Sequence, residues 1–363
     1  MSNLNIAPEN YIAGFDNIGD IGKAVKKIAG NILIVVDENT EKFIRSAYKG
    51  FENENISFTL EYFKGECCFE EIKRIEDIAI GCKADAIVGV GGGKLIDTVK
   101  AAGYNAGVKI INVPTVAATC AAWSSHSAVY TEDGIAYEYY SIHRNPDMVF
   151  VDKKILLESP IRYTIAGIAD TLAKWIETNA FTRETKIRNT ETEIAICLAK
   201  KSYNEIIAYG EKAVDDISKG IFSREADMMF THIIFTAGLV GGIGGAACRA
   251  VAAHAVNNGF TVLKNKYKNS LHGEAVAFGN IVQMILDKDE EDKIRELTDF
   301  YKKLNIPYNL EMLGYGKLKD EELEKVINKA LYKGDTIWNL PYKVSFEMLY
   351  NAIKKADLGL FSK

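Results

Sequence analysis

Three side chains stand out for the chemistry they could do together. Asp170 lies in Ala166-Gly-Ile-Ala-Asp170-Thr-Leu-Ala-Lys174-Trp175, where Ile165, Ile168, Leu172, Trp175 and Ile176 fall at helical spacing. A carboxylate amid such a stripe is costly to bury without a partner, and a bound cation would supply one. His254, in Val251-Ala-Ala-His-Ala-Val-Asn-Asn-Gly259, and His272, in Ser270-Leu-His-Gly-Glu274, are the histidines set in apolar, glycine-flanked surroundings. One carboxylate and two imidazoles with an open position make the ligand set of a catalytic Zn²⁺ or a non-haem Fe²⁺. A plainer reading stands beside this one. Asp170 and Lys174, four apart, can form a surface pair on a helix, and a lone histidine is more often a hydrogen-bonded residue than a ligand.

A second constellation precedes these residues. Val88-Gly-Val-Gly-Gly-Gly93, followed by Lys94-Leu-Ile-Asp97-Thr98, reads as a strand, a glycine turn and a helix start. Glycines let backbone N–H groups approach a pyrophosphate closely, and the positive end of the following helix favours that charge. Such turns also occur for packing alone, and the glycines lack the G-x-G-x-x-G spacing. Asp37, at the end of the apolar run Asn31-Ile-Leu-Ile-Val-Val, stands where an acid can bond both hydroxyls of an adenosine ribose and repel a 2′-phosphate. An acid capping the next helix is the alternative.

The elements that must position these groups follow from periodicity. Asn31 to Asp37 and Ala86 to Val90 are continuous apolar runs, as expected of strands buried on both faces of a parallel sheet. Ile56 to Phe63 alternates like a strand, Val108 to Val113 is a strand closed by Pro114, and Glu38 to Tyr48, Phe69 to Gly81 and Lys94 to about Gly103 read as helices. A hairpin around Glu132-Asp133-Gly134 and a strand Met148 to Asp152 complete the expected domain, a Rossmann-like, doubly wound parallel α/β sheet over residues 1–160. From Arg162 onward helical spacing dominates, clearest over Lys186 to Tyr209, Ser223 to Leu239, His272 to Leu286 and Asp289 to Leu304. An all-helical domain over 161–363 is expected, with a ligand cleft between the two.

Length and composition narrow the function. A chain of 363 residues, 48% hydrophobic and 26% charged, suits two globular domains. A net charge of −5 with mixed signs argues against nucleic acid as the main partner. The first ten residues have neither a basic nor an apolar signal region, so the cytoplasm is the expected location. Ile233 to Val256 is almost wholly apolar, but its five glycines, Arg249 and His254 suit a buried helix with a glycine-rich break better than a membrane span. Six scattered cysteines fit reduced thiols.

Taken in order, Gly91-Gly-Gly-Lys-Leu-Ile-Asp97, Val113-Pro-Thr115, Tyr130-Thr-Glu-Asp-Gly134, Ala166-Gly-Ile-Ala-Asp170, His254 and Ser270-Leu-His272-Gly-Glu-Ala-Val-Ala-Phe-Gly279 resemble the glycerol dehydrogenase branch of the iron-containing (group III) alcohol dehydrogenases. The resemblance implies an NAD-binding α/β domain followed by a helical metal domain, the dehydroquinate synthase-like architecture. It places Asp170, His254 and His272 at the metal ligand positions, and Asp37, Gly92, Gly93, Lys94, Thr115, Thr119, Ser124, His126, Ala128 and Tyr130 beside the dinucleotide. Iron-dependent members look like they carry a histidine four residues after the aspartate; Lys174 stands there, so Zn²⁺ is expected, with Fe²⁺ the alternative. NAD is expected, with NADP the alternative.

Two departures bear on the substrate. The branch resembles Thr-Asp-Ala-Pro where this chain has Thr119-Cys120-Ala-Ala122, so an acid that would accept hydrogen bonds from a polyol is missing. Asn257 stands where the branch commonly has a second histidine. Thr-Cys-Ala-Ala-Trp, with Asp170-Thr-Leu-Ala-Lys174-Trp, looks like a neighbouring branch of hydroxycarboxylate dehydrogenases, in which Lys174 or His126 could receive a carboxylate. Cys120, Trp123 and Lys174 are the expected substrate-pocket residues; no base accompanies Cys120, so it reads as pocket lining. The implied reaction is hydride transfer between NAD(H) and a small polyol or secondary alcohol, with the ketone as the reverse substrate. A 2-hydroxycarboxylate dehydrogenase is the rival, ahead of a dehydroquinate synthase-like lyase, which resembles enzymes with glutamate as first ligand, and of a silent binding protein. The family resemblance also implies a homo-oligomer.

Overall fold

The structure, a computed structural model, describes residues 4–183, 189–264, 266–267 and 270–359. Through residue 158 the elements are β1 (Asn10–Gly14), α1 (Ile21–Val25), β2 (Asn31–Val36), α2 (Glu41–Asn53), β3 (Ser57–Tyr62), α3 (Phe69–Gly81), β4 (Ala86–Gly91), α4 (Gly93–Asn105), β5 (Lys109–Pro114), β6 (His126–Tyr130), β7 (Ala136–Ser141), β8 (Met148–Asp152) and α5 (Lys153–Glu158). Six strands form one parallel sheet in the order β1-β8-β5-β4-β2-β3. The unbroken apolar runs of β2 and β4 have a direct cause. Ile32, Ile34, Val36, Val88 and Val90 enter one core, while Leu33, Val35 and Ile87 enter another on the opposite face. Each such fully buried side chain contributes roughly 1.5–3 kcal/mol at most.

The chain winds outward from β2 to β3, then returns to β4 beside β2 and proceeds the other way through β5 to β8. The reversal opens a crevice between the carboxyl ends of β2 and β4, where an open α/β sheet binds its ligands. Val36 pairs with Val90, which brings Asp37 and the turn at Gly91–Gly93 to this crevice. The hairpin β6–β7 is antiparallel and separate from the main sheet, with its turn at Gly134 in the left-handed region at φ 78°. Strand β1, at the sheet edge, has no counterpart among the expected elements.

After Asp152 the described residues hold helices and no strand. They are α6 (Ile161–Thr182), α7 (Thr190–Ser218), α8 (Arg224–Thr231), a π turn (His232–Thr236), α9 (Ala237–Gly244), α10 (Ala252–Phe260), α11 (His272–Leu286), α12 (Glu291–Lys303), α13 (Asp320–Ala330) and α14 (Phe346–Asp357). The span Arg224–Cys248 is long and apolar enough to cross a bilayer by composition. Its Met229, Phe230, Ile233, Ile234 and Val240 are instead buried in protein, and the helix breaks at Gly245, φ 55°. Several boundaries differ from expectation: α2 runs past Tyr48 to Asn53, α4 past Gly103 to Asn105, and α7 past Tyr209 to Ser218, while the expected start at Lys186 lies outside the described residues.

Candidate active site

Helix α6 carries Asp170 inward, 3% exposed, and α10 and α11 bring their histidines to it. His254 Nε2 and His272 Nε2 each stand 3.3 Å from Asp170 Oδ1, and the three ligand atoms lie within 4.8 Å of one another. Oδ1 is buried and has no hydrogen-bond partner. A charge-assisted hydrogen bond would be about 2.7–2.9 Å. The observed spacing is instead about that between two ligands around a tetrahedral ion with bonds of roughly 2.0–2.2 Å. Burial by itself would raise the Asp170 pKa, but the two imidazoles outweigh it and hold the carboxyl well below its usual range. Burial would lower His254, but the carboxylates of Glu177 and Asp170 together push it up to about 9.

Glycines let these helices meet. A Cβ on Gly273, next to His272, would lie 2.0 Å from the carbonyl oxygen of Ala166 on α6, and one on Gly279 would lie 2.3 Å from that of Ala253, next to His254. Glu274 adds two bonds from Arg162 of α6, at 2.6 and 2.7 Å, while accepting from the Leu271 N–H at 2.7 Å to cap α11.

A further layer of contacts orients the imidazoles. Glu177, two turns after Asp170 on α6 and 1% exposed, accepts from His254 Nδ1 at 2.7 Å and from the backbone N–H groups of Val251 and His254 at 2.7 and 3.2 Å. A proton on Nδ1 leaves the Nε2 lone pair facing Asp170, the tautomer a metal ligand needs. Asn257 Nδ2 lies 3.1 Å from His272 Nδ1. A half-turn of that amide presents Oδ1 instead and gives His272 the same tautomer.

The sixteen residues singled out from sequence all line one cavity of about 1060 Å³ between the sheet's carboxyl edge and the helices. Their surroundings separate the readings left open. At Gly91 a Cβ would strike Leu95 Cδ1 at 2.8 Å, so that glycine serves packing; at Gly92 and Gly93 the nearest atoms are 3.7 and 3.5 Å away, leaving a cradle over the α4 N-terminus. No side chain caps that end. Asp37 does not cap α2 either: its Oδ1 accepts from Asn39 N and Nδ2 at 2.9 and 3.0 Å in a local turn. Thr115 Oγ1 and His126 Nδ1 are buried without a partner. Burial, with Lys100, Arg249 and Lys174 nearby, keeps His126 well below its usual pKa and therefore neutral.

Other expected contacts are already engaged within the protein. Lys94 Nζ is 2.6 Å from Glu66 Oε2. Ser124 Oγ takes a bond from Lys100 Nζ at 2.9 Å, and Thr119 Oγ1 accepts from Ala121 N at 3.1 Å. Trp123 is 2% exposed, donates Nε1–H to the Ile6 carbonyl at 3.1 Å and packs on Gly238, so it builds the wall. Cys120 is half-buried and burial pushes its thiol pKa up, which leaves it neutral.

The profile of the family described as iron-containing alcohol dehydrogenase matches residues 8–153. The glycerol dehydrogenase of Citrobacter freundii is 33% identical over 97% of this chain and 96% of its own. The chain belongs to the iron-containing alcohol dehydrogenase family. It is an oxidoreductase acting on CH–OH groups, of a kind that works with a nicotinamide cofactor and a metal. Hydroxycarboxylate dehydrogenase A of Escherichia coli K12 is 34% identical over 81% of each chain. A probable glycerol dehydrogenase from Sinorhizobium meliloti 1021 shares the fold over 99% of both chains, with a TM-score of 0.88 and 26% identity.

For a member of this family, sequence reasoning missed three supporting groups. Glu177 could have been found from its spacing, since seven residues from Asp170 returns to the same helix face. Lys100 carried no such signal. It is fully buried and reaches Asp97 Oδ1 at 2.8 Å, Ala121 O at 2.7 Å and His126 O at 2.5 Å, stitching the loop that carries Thr119 to His126 onto α4. Arg249, read only as an obstacle to lipid, lines the cavity.

Proposed function

We propose that this chain is a metal-dependent, NAD-linked dehydrogenase of small polyols or secondary alcohols, with residues 1–160 as cofactor domain and 161–363 as metal domain. The observation that carries the reading is the unpartnered Oδ1 of Asp170 facing two imidazoles in the same cavity as the glycine cradle. Asp170, His254 and His272 would hold a divalent ion, and their one-oxygen, two-nitrogen donor set suits Zn²⁺. When bound, the ion supplies a Lewis acid for the substrate oxygen and the nicotinamide gives or takes the hydride.

The chain's own residues do the rest. Glu177 fixes the His254 ring, and Gly92 and Gly93 leave room for a pyrophosphate at the α4 N-terminus. Asp37 keeps Oδ2 for a ribose and repels a 2′-phosphate, which favours NAD. Neutral His126 offers Nδ1 as an acceptor without storing a proton. Cys120, uncharged and a weak acceptor, is poorly suited to grip glycerol's hydroxyls.

Removing the metal with a chelator, or Asp170→Ala, is expected to lower turnover by at least about a thousandfold while NADH still binds. Zn²⁺ should restore the chelated wild type but not the variant. Turnover that persists after metal removal verified by elemental analysis overturns the scheme.

A further inference from the structure

We propose that the Lys100 ammonium serves as a built-in monovalent cation around which the loop over residues 119–126 takes its working shape, and that shortening this side chain leaves a cage of oxygens for free ammonium or potassium. The inference rests on the dehydrogenase reading above, which makes the loop a wall of the cofactor and substrate cavity, and it assigns Lys100 as a positioning residue. Thr119, Cys120 and His126 of this loop line the cavity. Lys100 is fully buried on α4, seven residues after Gly93 and so on the same face of the helix. At the start of that face Thr119 and Ala121 close over Gly93, 3.5 and 3.7 Å from where its Cβ would stand. Two turns on, Lys100 takes over the holding of the loop.

The atoms around this nitrogen form a coordination shell. Nζ is 2.7 Å from Ala121 O, 2.9 Å from Ser124 Oγ, 3.3 Å from Ser124 O, 2.5 Å from His126 O and 2.8 Å from Asp97 Oδ1. An ammonium has three N–H groups, so these oxygens outnumber what its hydrogens can serve one to one. Such a shell suits a compact charge, in the way backbone carbonyls replace the hydration shell of a potassium ion. A lysine buried merely as half of an ion pair needs only its carboxylate, whereas here Ala121, Ser124 and His126 turn their carbonyls to one point as well. Without a positive charge between them those dipoles repel one another and the loop relaxes, shifting Cys120 and the His126 ring against the Gly93 cradle. Much of the cage is held independently of Lys100. Asp97 Oδ2 accepts from Ala128 N at 3.2 Å, Asp97 O accepts from Ser127 Oγ at 2.7 Å, and Asn112 Nδ2 of β5 donates to Ala122 O at 2.9 Å. Removal of the ammonium therefore leaves converging oxygens and one unbalanced carboxylate, the requirements of a site for a free monovalent cation.

The test compares the Zn²⁺-loaded wild type and Lys100→Ala in the chlorides of sodium, potassium, ammonium and tetramethylammonium at one ionic strength, so that screening is the same throughout. In sodium, Lys100→Ala should bind NADH about tenfold more weakly by fluorescence titration and oxidise propane-1,2-diol with a kcat/KM about a hundredfold lower. Ammonium or potassium should bring both to within about threefold of the wild type and raise the thermal midpoint of the variant. Tetramethylammonium, too large for the cage, should do neither, and the wild type should respond to none of the salts. Zn²⁺ affinity, measured by competition with a chromophoric chelator, should stay unchanged, because the metal ligands stand on α6, α10 and α11. Lys100→Met fills the cage with a methyl group and should show the same losses with no response to any salt; a response would put the ion elsewhere and overturn the proposal. A Lys100→Ala chain that matches the wild type in sodium, or that regains neither its fold nor NADH binding in ammonium, overturns it too. If the wild type with metal and NAD⁺ bound oxidises no alcohol, the dehydrogenase reading fails, and NADH binding and the thermal midpoint alone decide whether the cage takes a cation.

Discussion

At the residue scale, Glu177 decides how His254 presents itself. Its two oxygens serve His254 Nδ1 and two backbone N–H groups, and Glu177 is buried from solvent. Glu177→Gln keeps an acceptor for one of these but loses the charge that favours a proton on Nδ1, so Zn²⁺ affinity should fall about 10–100-fold. Glu177→Ala strands the buried donors as well, at about 1–3 kcal/mol each, and should also lower the thermal midpoint. Metal titration by competition with a chromophoric chelator measures both effects; an unchanged affinity in Glu177→Gln would show that the contact is only structural. The three candidate ligands were legible because a carboxylate in an apolar helical stripe and histidines among glycines are exceptional. Lys100 and Arg249 were not, because on paper each is an ordinary polar residue on a helix or in a break, and its meaning comes from what another segment places beside it; Glu177 shares the helix face of Asp170 seven residues on, but only the fold shows that it holds the His254 ring.

At the element scale, the errors in the helix ends share one cause. The expected ends of α2, α4 and α7, near Tyr48, Gly103 and Tyr209, each fall at or just before a glycine, a residue that commonly ends a helix. All three run on. A Cβ on Gly50 would lie 2.6 Å from Gly19 O, one on Gly103 2.7 Å from Ile110 Cγ1, and one on Gly210 2.9 Å from Phe300 Cζ. These glycines mark where another element comes close, which no local pattern reports. The same close approach builds the active site at Gly273. Adding a methyl 2.0 Å from the Ala166 carbonyl forces α11 away from α6, since backbone atoms cannot yield as a flexible side chain can. Gly273→Ala should therefore cost about 1–3 kcal/mol and weaken Zn²⁺ binding more than tenfold by shifting His272. The control is Gly81→Ala at the exposed end of α3, where nothing lies within 4 Å of the new methyl; it should be neutral or slightly stabilising. Equal effects of the two changes on metal binding would refute the packing argument.

At the scale of the whole molecule, the cavity works only if the sheet and the helical part stay in register. Ala136 N donates to Thr261 Oγ1 at 3.0 Å, and Glu66, in the loop after β3, bridges Lys94 at the cofactor turn and Lys264 beyond α10, at 2.6 and 3.0 Å. Both ammonium groups also lie over the Tyr130 ring, 5.5 and 5.8 Å from its centre. One carboxylate thus holds two cations that would otherwise repel each other. It also occupies the lysine nearest the place where a pyrophosphate would sit. Burial, together with the like charge of Lys264, lowers the Lys94 pKa despite Glu66, so this ammonium gains from any further anion. A partly exposed pair of this kind contributes about 1 kcal/mol or less to stability, so losing it should barely move the thermal midpoint. Its effect on the cofactor should be larger in proportion. Glu66→Gln removes the competing charge and leaves both lysines to the phosphates, and NADH should bind roughly three- to tenfold more tightly at low salt. That gain should shrink as ionic strength rises and the charges are screened. NADH titration by fluorescence at two salt concentrations measures both; weaker binding in Glu66→Gln would mean that Glu66 instead holds Lys94 in place for the dinucleotide.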